Sequence, residues 1–171
     1  GVFISRNVLG RLLKPPVEAV AFKDDEFDPA LTMREKITQL TKATSCMECH
    51  RVINPVGFSL ENFDAVGRHR LKDNRKPVDT VTRYVNENER EIPIRSIHDV
   101  ATMAAGSRLA HEAFITQLFH HFTKQSINAY GADTKASLHA KFVKSGYNIR
   151  SLLVELTKVA VSPVSYTHLR A

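Results

Sequence analysis

Two cysteines and a histidine dominate the chemistry available to this sequence, in the run Cys46-Met47-Glu48-Cys49-His50. Thiols at i and i+3 share one helical turn, and the residue after the second thiol falls beside them. That arrangement suits a porphyrin with two vinyl groups. Each sulfur forms a thioether at one ring edge, and the imidazole sits under the iron as an axial ligand. The spacing therefore reads as an attachment site for one covalent haem c, held by Cys46, Cys49 and His50, with His50 on the metal. With 2 Cys and 8 His in 171 residues, the full pattern arises by chance at well under about one in a thousand. Three other chemistries use the same side chains. A redox dithiol needs a βαβ setting that the flanks do not suggest. A structural zinc site needs four ligands, so His120 and His121 would have to complete it. A plain disulfide is the third.

Supporting residues follow the motif. An axial imidazole is usually fixed by a bond from its second nitrogen, and the Pro55 carbonyl in Asn54-Pro55-Val56-Gly57 is the first candidate acceptor; a simple turn is the competing reading. Arg68 and Arg70 can pair with haem propionates or belong to a solvated basic loop. For the sixth iron position Met103 is the candidate, against a plain apolar role in its helix. Met47 is inside the attachment loop, and Met33 reads as core. His69, His98, His111, His120, His121 and His139 are alternatives that suit surface positions better. Glu61 and Asp64 read as loop caps rather than catalytic carboxylates. No nucleophile elbow, phosphate loop or paired-carboxylate pattern occurs.

The elements that must position these groups are mostly helical. Thr32 and Glu35 have capping-box spacing, and Met33, Ile37 and Leu40 share a face, predicting a helix over 32–44 that runs into Cys46. Before it, Lys14-Pro15-Pro16 interrupts any helix. Residues 54–76, rich in Gly, Pro, Asn and Asp, read as a wrapped loop. The alternation over 78–85 pairs with Glu91-Ile92-Pro93-Ile94 as a short hairpin, with Pro93 on an edge. Ser96 and Asp99 cap a short helix ending near Gly106. Ala110, Phe114, Ile115, Leu118, Phe119 and Phe122 form an apolar stripe to about Lys124. Asp133 opens a helix closed by Gly146, and Asn148 opens another closed by Pro163.

Composition sets the outer bounds. The chain is 43% hydrophobic and 25% charged, with a net charge of +6. The basic residues are scattered among acids without interleaved aromatics, the pattern of a solvated surface rather than a nucleic-acid site. No run of 18 apolar residues is present, so no membrane span is expected. Two cysteines are too few for a disulfide scaffold. The start at Gly1 without Met suggests a fragment of a longer chain.

The segment from Cys46 to Arg70, C-M-E-C-H-R-V-I-N-P-V-G-F-S-L-E-N-F-D-A-V-G-R-H-R, resembles the domain of unknown function 1588. That domain occurs in large exported, planctomycete-type bacterial proteins with cytochrome-c-like modules. The opening G-V-F-I-S-R-N-V-L-G-R, the Pro-Pro pair and L-T-M-R-E match it too. From about Ile97 the chain resembles the partner domain of unknown function 1585, on Q-L-F-H-H-F-T-K-Q, A-Y-G and N-I-R-S-L-L-V-E-L. The resemblance implies haem on Cys46, Cys49 and His50, export to the periplasm or beyond, and further domains of the same parent chain. His69 departs from the larger aromatic usual at its position. Residues 165–171 depart from the family's ending and look like translated adapter sequence, which removes His168 from any ligand set.

The expected architecture is mainly α. A cytochrome-c-like haem-binding domain with a small β-hairpin spans 1–95, a helical C-terminal domain packed with it spans 96–164, and a non-native tail spans 165–171. The leading functional expectation is a one-haem electron-transfer module that meets a redox partner protein. The alternatives are a haem-dependent oxidoreductase acting on a polymer or small molecule, and a non-catalytic helical interaction module with a structural CxxC.

Overall fold

The computed structural model describes residues 1–14 and 21–161. The expected break at Pro15-Pro16, the stop at Pro163 and the 165–171 tail lie outside the described residues. The described chain is mainly helical, with two separate two-stranded antiparallel ladders. It divides into two compact units, one of Gly1–Arg6 with Arg11–Gly106, the other of Asn7–Gly10 with the chain from Ser107 onward.

In the first unit, α1 spans Met33–Leu40 and starts on the capping box read from the sequence. The Thr32 hydroxyl accepts the Glu35 N–H at 3.2 Å, and the Glu35 carboxylate accepts the Thr32 N–H at 2.7 Å. The helix stops earlier than the expected 44. Thr41 closes it, and Ala43, in extended conformation, starts α2 over Thr44–Phe58 by accepting the Cys46 and Met47 N–H groups. The cysteine motif thus lies inside the first turns of a second helix, not at the end of the first.

α2 also runs straight through Asn54-Pro55-Val56-Gly57, where the sequence suggested a loop. Pro55 costs the helix a backbone bond, about 3 kcal/mol in an interior position. Val52, Pro55, Val56 and Phe58 are all buried. Burial of large apolar side chains contributes about 1.5–3 kcal/mol each, enough in sum to offset the proline. Local breaker signals lose to the buried face.

Beyond α2 the chain folds back through a loop closed by Asn62 and Arg70. The Arg70 N–H donates to the Asn62 carbonyl at 2.7 Å, and the Asn62 side chain donates to the Arg70 carbonyl at 3.0 Å. Strands β1 (Lys72–Asp73) and β2 (Lys76–Pro77) then pair around a two-residue turn. Asn74 and Arg75 both have left-handed backbone there, φ 47° and 68°, the conformation that two-residue hairpin turns demand. Asn74 tolerates it and spends its amide on the Pro29 and Leu31 carbonyls. The expected hairpin forms from β3 (Thr82–Val85) and β4 (Glu91–Ile94), with Tyr84 opposite Ile92 and Pro93 opposite Arg83. α2 packs on β3, and α3 (Ile97–Gly106) packs on β4. Tyr84, Ile94 and Val100 supply buried side chains from these elements.

The second unit is built on α4 (Arg108–Thr123), α5 (Thr134–Lys144) and α6 (Ile149–Ala160). Asn148 caps α6 with its side chain, as its position suggests, and Ser107 caps α4 in the same way. Asp133 precedes α5 without making a side-chain cap bond. Ile115, Phe119, Ile127, Leu138, Phe142, Leu152 and Leu156 form one buried cluster. Phe114 and Phe122, expected on the same stripe, remain more than a third exposed. The short segment Asn7–Gly10 lies against α4, where Gln117 donates to the Asn7 carbonyl at 2.6 Å. Gly10 is required there. Its φ is +69°, and a Cβ would meet the Leu109 carbonyl at 2.8 Å.

Candidate functional site

Helical spacing puts Cys46, Cys49, His50 and Ile53 on one stripe of α2, while Val52, Val56 and Ser59 face the interior. Both cysteines are half-buried free thiols. Two sulfurs one turn apart are thus available for covalent chemistry on one side, with an imidazole next to the second. Toward the end of the stripe, Gly1 lies against Ile53 and Gly57.

His50 is held. Its Nδ1 lies 2.8 Å from Asn54 Oδ1. The Asn54 amide donates to Thr41 Oγ1 at 2.9 Å, and the Thr41 hydroxyl donates to the Ile37 carbonyl at 2.8 Å. Thr41 is buried and belongs to the end of α1, so this chain of bonds ties the motif helix to its predecessor. The ring's partner is therefore the Asn54 side chain. The Pro55 carbonyl is engaged within the helix end, accepting the Ser59 N–H at 3.2 Å. The spacing of His50 and Asn54, i to i+4, carries that signal in the sequence once α2 is known to continue past 53.

The two arginines have intramolecular partners. Arg68 is 81% exposed and pairs with Asp64 at 2.8 Å. Asp64 also accepts the Val66 and Arg68 N–H groups. The Arg68 backbone bond, followed by its side chain, holds the Asp64 carboxyl below its ordinary range. Asp64 thus caps its loop, as its sequence setting suggests, whereas the Glu61 carboxylate pairs with a side chain instead. Arg70 is half-buried and reaches Glu61 at 2.9 Å and Asp73 at 2.7 Å. Asp73 in turn accepts the Met33 N–H at the start of α1. Burial pushes the Glu61 carboxyl up, and the Arg70 charge opposes that push. Met103 is half-buried on α3. His69 is exposed and meets the Phe63 ring edge-on at 5.8 Å. His111 and His139 stack at 5.6 Å in the second unit, where His120 and His121 occupy the last turn of α4. No cluster of three metal-ligating side chains occurs among the described residues.

A groove of about 510 Å³ lies in the first unit, lined among others by Arg34, Glu35, Lys42, Glu61, Asp73 and Lys76. Its charged walls suit water and polar groups, and it does not include the cysteines. Apolar surface is open elsewhere in the segment, at Met47, Phe63, Val66 and Leu71.

Residues 1–73 match PSCyt3, a protein of unknown function (DUF1588). The PSCyt3 match takes in α1, α2, the Asn62–Arg70 loop and β1, and so contains Cys46, Cys49 and His50 together with the Asn54 and Thr41 side chains that anchor His50. No curated protein and no solved structure shows a significant match. Among the described residues, no helix is long and apolar enough to cross a membrane.

Proposed function

We propose that the chain is a c-type haem-binding electron-transfer module of a larger exported bacterial protein. One observation carries the reading: two unbridged, half-buried thiols and an anchored imidazole share one stripe of α2 inside the segment that matches PSCyt3. The donor set fits haem c. Cys46 and Cys49 would hold the macrocycle through thioethers, and His50 would be the axial ligand. When bound, the haem supplies a reversible one-electron couple. The protein's own residues would hold the ring edge through Cys46 and Cys49 and fix the imidazole through Asn54.

Expression with a haem-maturation system tests this. The matured chain is expected to keep haem through a denaturing gel, and to lose it in Cys46→Ser and Cys49→Ser. A folded, haem-free chain under the same conditions would refute it. The ligand opposite His50 separates electron transfer from an oxidative enzyme. With Met103 in that position, the reduced protein does not bind carbon monoxide, and Met103→Ala makes it do so.

A further inference from the structure

A neutral imidazole has one protonated nitrogen and one lone pair, and only the lone pair can ligate a metal. Which nitrogen carries the proton is set by what faces it. At His50 the facing group is Asn54 Oδ1, 2.8 Å from Nδ1. An amide oxygen accepts and never donates, so the nitrogen beside it must bear hydrogen.

The amide of an asparagine can turn over, so something must hold it. Thr41 does. Its hydroxyl has a single proton, given to the Ile37 carbonyl at 2.8 Å. What Oγ1 has left is lone pairs, and they receive the Asn54 amide N–H at 2.9 Å. The order of donors and acceptors therefore runs one way, from His50 Nδ1–H to Asn54, from Asn54 to Thr41, and from Thr41 to the backbone of α1. Thr41 is buried, which shelters this order from exchange with water.

We propose that Asn54, oriented by Thr41, is the positioning residue that fixes His50 in the Nδ1–H tautomer and thereby reserves Nε2 as the ligating atom. The proposal rests on the haem reading for what Nε2 ligates, but the tautomer is a property of the chain itself. A side-chain anchor also differs from a backbone carbonyl in a testable way, because substitution removes it.

The test is the tautomer of His50 in the haem-free 171-residue chain, read from the imidazole nitrogen shifts at a pH where the ring is neutral. The wild type is expected to show a single form with Nδ1 protonated. Asn54→Leu is expected to give both tautomers. Thr41→Val, close in shape but without the hydroxyl, is expected to give a partial mixture, and Thr41→Ser to restore the single form. Unchanged ring signals from Tyr84, buried in the first unit with the motif helix, report that a variant is folded; if Asn54→Leu fails that check, the Thr41 pair gives the answer. A wild-type ring protonated on Nε2 would overturn the proposal, as would a tautomer indifferent to both positions. Covalent haem is scored separately on a denaturing gel. Haem attachment with an indifferent tautomer overturns the positioning role alone, whereas a tautomer that follows Asn54 in a chain that takes no haem supports the network and overturns the haem reading.

Discussion

Arg70 shows how one residue can look like a cofactor contact in sequence and act as a tie in three dimensions. Its guanidinium spans Glu61 and Asp73, and its Nε donates to the Glu61 carbonyl at 2.8 Å. Removing it strands a half-buried carboxylate whose charged form burial already disfavours. Arg70→Met is expected to cost about 1–3 kcal/mol, the range for losing hydrogen bonds to charged groups. Glu61→Gln in the same chain should recover part of that loss, because no unpaired charge remains. Urea unfolding of the two single variants and the double variant measures both. If the double variant falls by the sum of the singles, Arg70 and Glu61 are not coupled. At this scale the shared stripe of Cys46, Cys49 and His50 was legible in sequence, since it depends only on helical spacing. The Asn54 partner was not, because Pro55 and Gly57 signalled a loop and hid the i, i+4 relation that α2 creates.

Elements whose ends are marked by polar side chains were the most readable. Thr32, with Glu35, and Asn148 cap where they stand, and the 82–94 hairpin forms in the segments its alternation marks. Thr32→Ala is expected to destabilise the first unit by about 1 kcal/mol. Glu35 adds a pH dependence. Its bonds to Lys76 and to the Thr32 N–H hold its pKa at about 2, below the ordinary 4.5. A carboxylate favoured in the native state contributes stability that is complete above 4.5 and is lost as pH falls toward 2. Acid titration followed by circular dichroism should show that loss in the wild type and a smaller one in Glu35→Gln. Glu155, between Lys141 and Lys158, is also held at about 2 and places the same window on α5 and α6. The element that sequence misjudged was α2. Its buried Val52 and Val56 outweigh a proline, and burial depends on β3, which no local pattern reveals.

For the whole molecule, charge scattered among acids and the mainly helical content were visible from composition and periodicity. The small β1–β2 ladder was not, because its turn rests on Asn74 gripping the Pro29 and Leu31 carbonyls from 43 to 45 residues away. The second unit carries a further pH response besides that of Glu155. His139 has its ring stacked on His111 and its Nε2 buried without a partner among the described residues. Burial first, then Arg108 and His111, lowers its pKa from the ordinary 6.5, while Glu112 opposes them. The native state therefore prefers neutral His139. Stability from this source is complete above about pH 6.5 and is lost as pH falls below it. Protection factors of the α4 and α5 amides, corrected for the intrinsic pH dependence of exchange, should fall over that range in the wild type and not in His139→Phe; identical profiles would contradict the assignment.

The central claim concerns α2 and is met most directly by the absorption spectrum of the matured chain in reduced alkaline pyridine, which distinguishes thioether-bound haem from free haem. The spectrum of haem with both vinyl groups saturated by Cys46 and Cys49 is expected, at one haem per chain. A folded chain that gives no haem signal, or gives only that of unattached haem, would contradict it.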